Sequence, residues 1–168
     1  MPYAKLKTEI LAARNRRHLL LQQQAPPAGS SLLQLSLNLP GAEKQQLAGT
    51  VALTNWAREQ LHGTFPKLTE ILLEQDSLGP WGLFRASTPP PEAKIATVRI
   101  EELHDFARLL DIDVYDPAGH PCERRQLNLP ERCCLLCSRP AKECIRLQRH
   151  SYQQLKEHLE KLLQPFTT

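Results

Sequence analysis

Leu32-Leu33-Gln34-Leu35-Ser36-Leu37-Asn38-Leu39 is the stretch that decides the fold class. Leucine stands at 33, 35, 37 and 39, with Gln34, Ser36 and Asn38 between them. A period of two puts the leucines on one face of a β-strand and the polar residues on the other. Pro40-Gly41 stops the strand. Upstream, residues 5–24 read as an amphipathic helix, with Leu6, Ile10, Leu11, Leu20 and Leu21 apolar and Arg14, Arg16 and Arg17 on a basic face. Ala25-Pro26-Pro27-Ala28-Gly29 breaks it.

Downstream, 43–62 reads as a second helix on a stripe of Leu47, Ala48, Val51, Ala52 and Trp56. Residues 68–74 and 81–87 read as strands joined through Ser77-Leu78-Gly79-Pro80, and prolines 89–91 as a stiff connector. Residues 94–101 and 109–115 are expected as two more strands. Asp116-Pro117-Ala118-Gly119 then turns into 122–129 as a hairpin partner. Tyr152, Leu155, Leu159, Leu162 and Leu163 mark a closing helix. Helix, strand, helix and then several strands predict an α+β fold, a mixed or antiparallel sheet flanked by helices, in one domain over 1–168.

The chain is 41% hydrophobic and 23% charged, an ordinary globular composition. No run approaches the 18 or so apolar residues of a membrane span. The first twenty residues lack a secretory h-region, so a soluble cytoplasmic protein is expected. Net charge is +3, but 122–150 holds seven Lys/Arg against three Asp/Glu. That local excess suits a polyphosphate better than duplex nucleic acid, which calls for a broad basic face.

Asp111-Ile112-Asp113 is the chemical feature of the chain. On a strand, positions i and i+2 project to one face, which sets two carboxylates side by side about 7 Å apart, with Ile112 and Val114 turned to the core. Such a pair holds hard divalent ions, magnesium above all, for phosphoryl or nucleotidyl transfer. The alternative is a solvated acidic sheet edge. A phosphatase motif of the haloacid-dehalogenase kind would need a further acidic pair downstream, and the 55 residues after Asp113 hold none.

Cys134-x2-Cys137-x6-Cys144-x5-His150 offers three thiolates and an imidazole, a spacing compatible with a closed structural zinc site. Nearby Arg132, Arg139, Lys142, Arg146 and Arg149 would offset its charge. The competing reading is reduced thiols on a loop. All five cysteines lie between 122 and 144, an odd number in a chain read as intracellular, which argues against a disulfide framework.

Ala96-Thr97-Val98-Arg99-Ile100-Glu101, then His104, Arg108-Leu109, Asp111 to Val114, Arg124-Arg125 and Arg132 to Cys137 together resemble one family. It is the apo-citrate lyase phosphoribosyl-dephospho-CoA transferases, also called citrate lyase holo-acyl-carrier-protein synthases. The likeness extends over nearly the whole chain, including Arg14 and Arg17 in the first helix. It implies a nucleotidyltransferase-like framework. It also implies transfer of the prosthetic group from 2'-(5''-triphosphoribosyl)-3'-dephospho-CoA to a serine of the apo acyl-carrier subunit of citrate lyase, with release of pyrophosphate.

Carried over residue by residue, the resemblance makes Asp111 and Asp113 the magnesium ligands and Glu101 a third carboxylate. It makes Arg108, Arg124, Arg125, His104, Arg14 and Arg17 the candidate substrate-binding residues. Alternation on a strand would aim only one of Arg124 and Arg125 at the site. Three positions depart from the family pattern. Asp105 and Ala107 stand where Pro and Gly are usual, and Gln126 where an acidic residue is common. Two other classes remain open, a zinc-stabilised binding module without catalysis and a nucleotidyltransferase using another hydroxyl acceptor.

Overall fold

The computed structural model describes residues 2–39 and 47–167. The chain runs α1 (Pro2–Gln23), β1 (Ser31–Leu37), α2 (Thr50–Thr64), β2 (Leu68–Asp76), β3 (Gly79–Ala86), α3 (Pro90–Glu101), β4 (Leu110–Tyr115), α4 (Ala141–Arg146) and α5 (Tyr152–Leu163), with 3-10 turns at Asp105–Leu109 and Arg124–Leu127. Four strands form one antiparallel sheet in the order β2-β3-β1-β4. The expected α+β class with an antiparallel sheet is what forms. No described helix is long and apolar enough to cross a membrane.

The leucine alternation sorts the two faces. Leu33, Leu35 and Leu37 join Phe84, Ile112 and Val114 in the main core, under Leu53, Ala57 and Leu61 of α2, Ala93 and Ile100 of α3, and Leu159 and Leu163 of α5. Gly82 of β3 lies opposite Leu35, and a Cβ there would come within 2.7 Å of the Phe84 ring, so only glycine leaves that ring its place. On the other face Leu32, Trp81 and Leu83 pack with Leu20 and Leu21 of α1.

α1 is pinned to that second face by Arg17. Its Nε and Nη2 donate to the two Asp76 oxygens at 2.8 and 2.7 Å, Nη2 donates again to the Gly79 carbonyl at 3.2 Å, and the guanidinium lies 4.7 Å from the centre of the Trp81 ring. Arg16 pairs with Glu74, while Arg14 is exposed. Arg17→Ala therefore unties the helix and lowers stability by about 2 kcal/mol. Arg14→Ala moves it by less than about 0.5 kcal/mol. Urea midpoints of the two variants check this.

Several expected elements differ. Residues 94–101 are helix α3, not a strand. Pro90 and Pro91 occupy its first turn with Glu92, and its buried residues (93, 94, 97, 98, 100 and 101) follow a helical period. Residues 122–129 form no strand: Arg124–Leu127 is a 3-10 turn, and the approach to it meets β4 through a bridge from Pro121 to Tyr115 and the Cys122 N–H, which donates to the Val114 carbonyl at 2.7 Å. A capping box holds that turn, with the Glu123 N–H donating to Gln126 Oε1 at 2.8 Å. The β2–β3 turn is Ser77-Leu78 alone, because Gly79 and Pro80 already belong to β3. Helix α2 begins at Thr50, after Gly49 in the left-handed region (φ 85), and buries Leu53, Ala57 and Leu61 while Val51 is exposed. The expected stop at Pro40-Gly41 and helix start at 43 lie outside the described residues.

Candidate active site

β4 is an edge strand with alternating burial, Leu110, Ile112 and Val114 inward and Asp111, Asp113 and Tyr115 on the opposite face. The aspartates face Ser36 and Gln34 of β1 in register. Burial of Asp113, and then the charge of Asp111, push its carboxyl up to about 6, against the opposing pull of Lys94. The Asp111 side chain is 43% exposed and forms an ion pair with Arg132, Nη2 lying 3.2 Å from its Oδ1. A buried carboxyl raised by its neighbour's charge, with that neighbour beside it on one strand, fits a divalent cation, which removes the repulsion.

The outer edge of β4 would expose unpaired backbone groups, and side chains occupy them instead. Lys94 Nζ donates to the Ile112 carbonyl at 3.0 Å, the Ile112 N–H donates to Glu101 Oε1 at 2.8 Å, and Arg132 Nη1 donates to the Leu110 carbonyl at 2.8 Å. Glu101 is 2% exposed and ends α3 rather than a strand. Its Oε1 also meets Arg132 Nη2 at 2.5 Å, and its Oε2 meets Arg124 Nη2 at 2.7 Å. Lys94, absent from the sequence candidates, thus supports the aspartate strand together with Glu101.

Of the two adjacent arginines only Arg124 is brought to this network, with Nη1 also donating to Glu102 at 2.9 Å. Arg125 is 81% exposed and pairs with Glu123. Arg108 Nη2 donates to the Cys134 carbonyl at 2.5 Å. His104 stacks near Phe106 and Trp56, with centroids 4.9 and 5.8 Å away. Ala107 is fully buried in the main core. Arg14 and Arg17 lie on α1, Arg17 already committed to Asp76.

A cavity of about 1180 Å³ opens between the end of α3 and the Cys/His segment, bordered by Leu103, Arg108, Arg124, Arg132, Ile145 and Tyr152 and not by the aspartates themselves. Arg132 lines this cavity and also contacts Asp111.

Cys134, Cys137, Cys144 and His150 converge. Their ligand atoms lie within 4.8 Å of one another, and Cys137 Sγ is 3.5 Å from both Cys144 Sγ and His150 Nε2. A tetrahedral zinc with Zn–S of about 2.3 Å sets sulfurs about 3.8 Å apart, so the group can hold such a metal. The backbone N–H of Arg139, followed by His150, draws the Cys137 thiol down to about 7.

The model of the family described as apo-citrate lyase phosphoribosyl-dephospho-CoA transferase matches residues 6–166. The chain belongs to that family. Proteins of this name from Escherichia coli O139:H28 and Shigella boydii serotype 18 are each 32% identical to it over 163 residues, covering 92% of this chain and 86% of theirs. The family match spans the aspartate strand, the α3 supports and the Cys/His group alike.

Proposed function

We propose that this chain transfers the phosphoribosyl-dephospho-CoA group from 2'-(5''-triphosphoribosyl)-3'-dephospho-CoA to a serine of the apo acyl-carrier subunit of citrate lyase, as a nucleotidyltransferase working in the cytoplasm. The family match along 6–166 carries the substrate and acceptor. The aspartate pair on β4 supports the reaction class. Five free thiols agree with a reducing compartment.

Asp111 and Asp113 would hold magnesium, which when bound neutralises the triphosphate and the departing pyrophosphate. The serine oxygen forms a bond to the α-phosphorus while the bond from that phosphorus to the α–β bridging oxygen breaks. Pyrophosphate carries off the electron pair, and the serine proton leaves to solvent. Lys94, Glu101 and Arg132 keep β4 rigid, which holds the two carboxylates in place before substrate arrives. The bordering arginines give the cavity its affinity for phosphate, and its apolar wall suits the rest of the donor. The ion proposed for the Cys/His group is zinc, in a structural role.

Incubating the protein with apo carrier, the triphosphoribosyl donor and magnesium should raise the carrier's intact mass by that of the prosthetic group. No gain with carrier, donor and metal all present would sink this reading.

A further inference from the structure

The segment carrying Cys134 to His150 has little to hold it together. Its regular structure is the six-residue α4 and one bridge from Cys133 to Pro140. Ile145 is 76% exposed and Leu147 is also exposed, while Cys134 and Cys144 are its buried residues. Such a segment buries too little apolar surface to order itself. A zinc ion bound by three thiolates and an imidazole supplies the binding energy that orders such a segment.

The loop that presents the first two ligands is closed at its base by main-chain bonds. The Ala141 N–H donates to the Arg132 carbonyl at 2.8 Å, and the Cys134 N–H donates to the Arg139 carbonyl at 2.7 Å. Arg132 is therefore the stem of the metal loop. Its guanidinium leaves the loop to grip Leu110, Glu101 and Asp111 on the catalytic side. A second strut runs through the Cys134 carbonyl, which accepts from Arg108.

We infer that the Cys134–Cys137–Cys144–His150 group is a zinc centre whose occupancy holds Arg132 against Asp111, so that zinc sets how the aspartate pair receives a metal-bound polyphosphate. The inference rests on the reading of Asp111 and Asp113 as the divalent-ion site. Arg132 is a positioning residue here, and its charge gives the proposal a two-sided signature. A guanidinium 3.2 Å from Asp111 competes with a divalent cation for that carboxylate, yet it adds attraction for phosphate. Releasing Arg132 tightens binding of the cation alone and weakens binding of the polyphosphate. Simple loosening of the fold weakens both.

The test uses full-length reduced protein with manganese and inorganic tripolyphosphate as probes. Metal analysis should find one zinc per chain, and cobalt exchanged into the site should show the visible bands of a tetrahedral thiolate complex. Arg132→Gln should keep its zinc, bind manganese roughly threefold tighter, the size of one partly exposed ion pair, and bind tripolyphosphate with manganese about tenfold more weakly. Zinc-stripped wild type and Cys137→Ser should show the same pair of shifts, and stripping zinc from Arg132→Gln should add nothing. A zinc-free wild type that binds both probes like the loaded protein overturns the inference, as does a purified chain without zinc or an additive double effect. Neither probe needs the carrier. A failure of the transferase reading would appear instead as a carrier of unchanged mass.

Discussion

Asp113→Asn lowers transfer by about a thousandfold or more and yields a protein more stable than the wild type near neutral pH. The two effects share one cause. Burial and the neighbouring Asp111 raise the Asp113 carboxyl from an ordinary 3.8 to about 6. Between those values the folded chain holds a proton that the unfolded chain has lost. Stability from this group therefore falls as pH rises through the window, and the full cost stands above about pH 6. Roughly two pKa units set that cost at about 1–3 kcal/mol. Asparagine removes it, so the variant's advantage is largest near neutrality and vanishes below about pH 4.

Magnesium stabilises the ionised pair. It should raise the wild-type melting temperature at about pH 7.5, hardly at about pH 5, and not at all in the variant. Asp111→Asn also loses transfer, but its greater exposure keeps its stability near wild type. Melting curves at the two pH values, with intact-mass measurement of the carrier, check both claims. A variant at either aspartate that keeps a tenth of normal transfer would remove the pair from the chemistry.

The sheet and the aspartates were legible in the sequence because both are period-two signals. Leu33 to Leu37 and Leu110 to Val114 alternate cleanly, and the structure pairs those two stretches directly. The Cys/His group was legible because short loops leave little freedom between ligands spaced so closely. What misled was Lys94-Ile95-Ala96-Thr97-Val98-Arg99-Ile100-Glu101, whose β-branched residues read as a strand. Tertiary packing on β4 overrode that preference, and the local helix signals were the two prolines and Glu92 in its first turn.

That misreading concealed Lys94 and the part Glu101 plays. Seven residues apart on a strand, Lys94 and Glu101 would face opposite sides. On a helix they share a face, and from α3 both reach Ile112. Only the helix brings Lys94 to the same strand as Glu101. Arg124 was drawn from a strand that does not form, and it reaches Glu101 from a 3-10 turn.

Glu101→Ala produces the largest loss of stability, about 3–5 kcal/mol. The carboxylate is buried and takes the Ile112 N–H, Arg132 and Arg124 at once. Alanine leaves two guanidinium groups without their shared counter-charge and one backbone donor at the β4 edge without an acceptor. Glu101→Gln keeps an oxygen for the Ile112 N–H but loses the charge and turns an NH2 donor toward the Arg124 guanidinium, so it costs about 1–3 kcal/mol. The pair of variants also decides what Glu101 does in catalysis. A third metal ligand would behave as the aspartates do, with transfer collapsing in the glutamine variant while the fold stays firm. Both carboxylate oxygens are already occupied by protein donors, so the opposite order is expected. Glu101→Gln should weaken the urea midpoint first and keep transfer within about tenfold of wild type, the reach of a positioning effect rather than a lost ligand. Transfer abolished at unchanged stability would move Glu101 from the frame of the site into its metal shell.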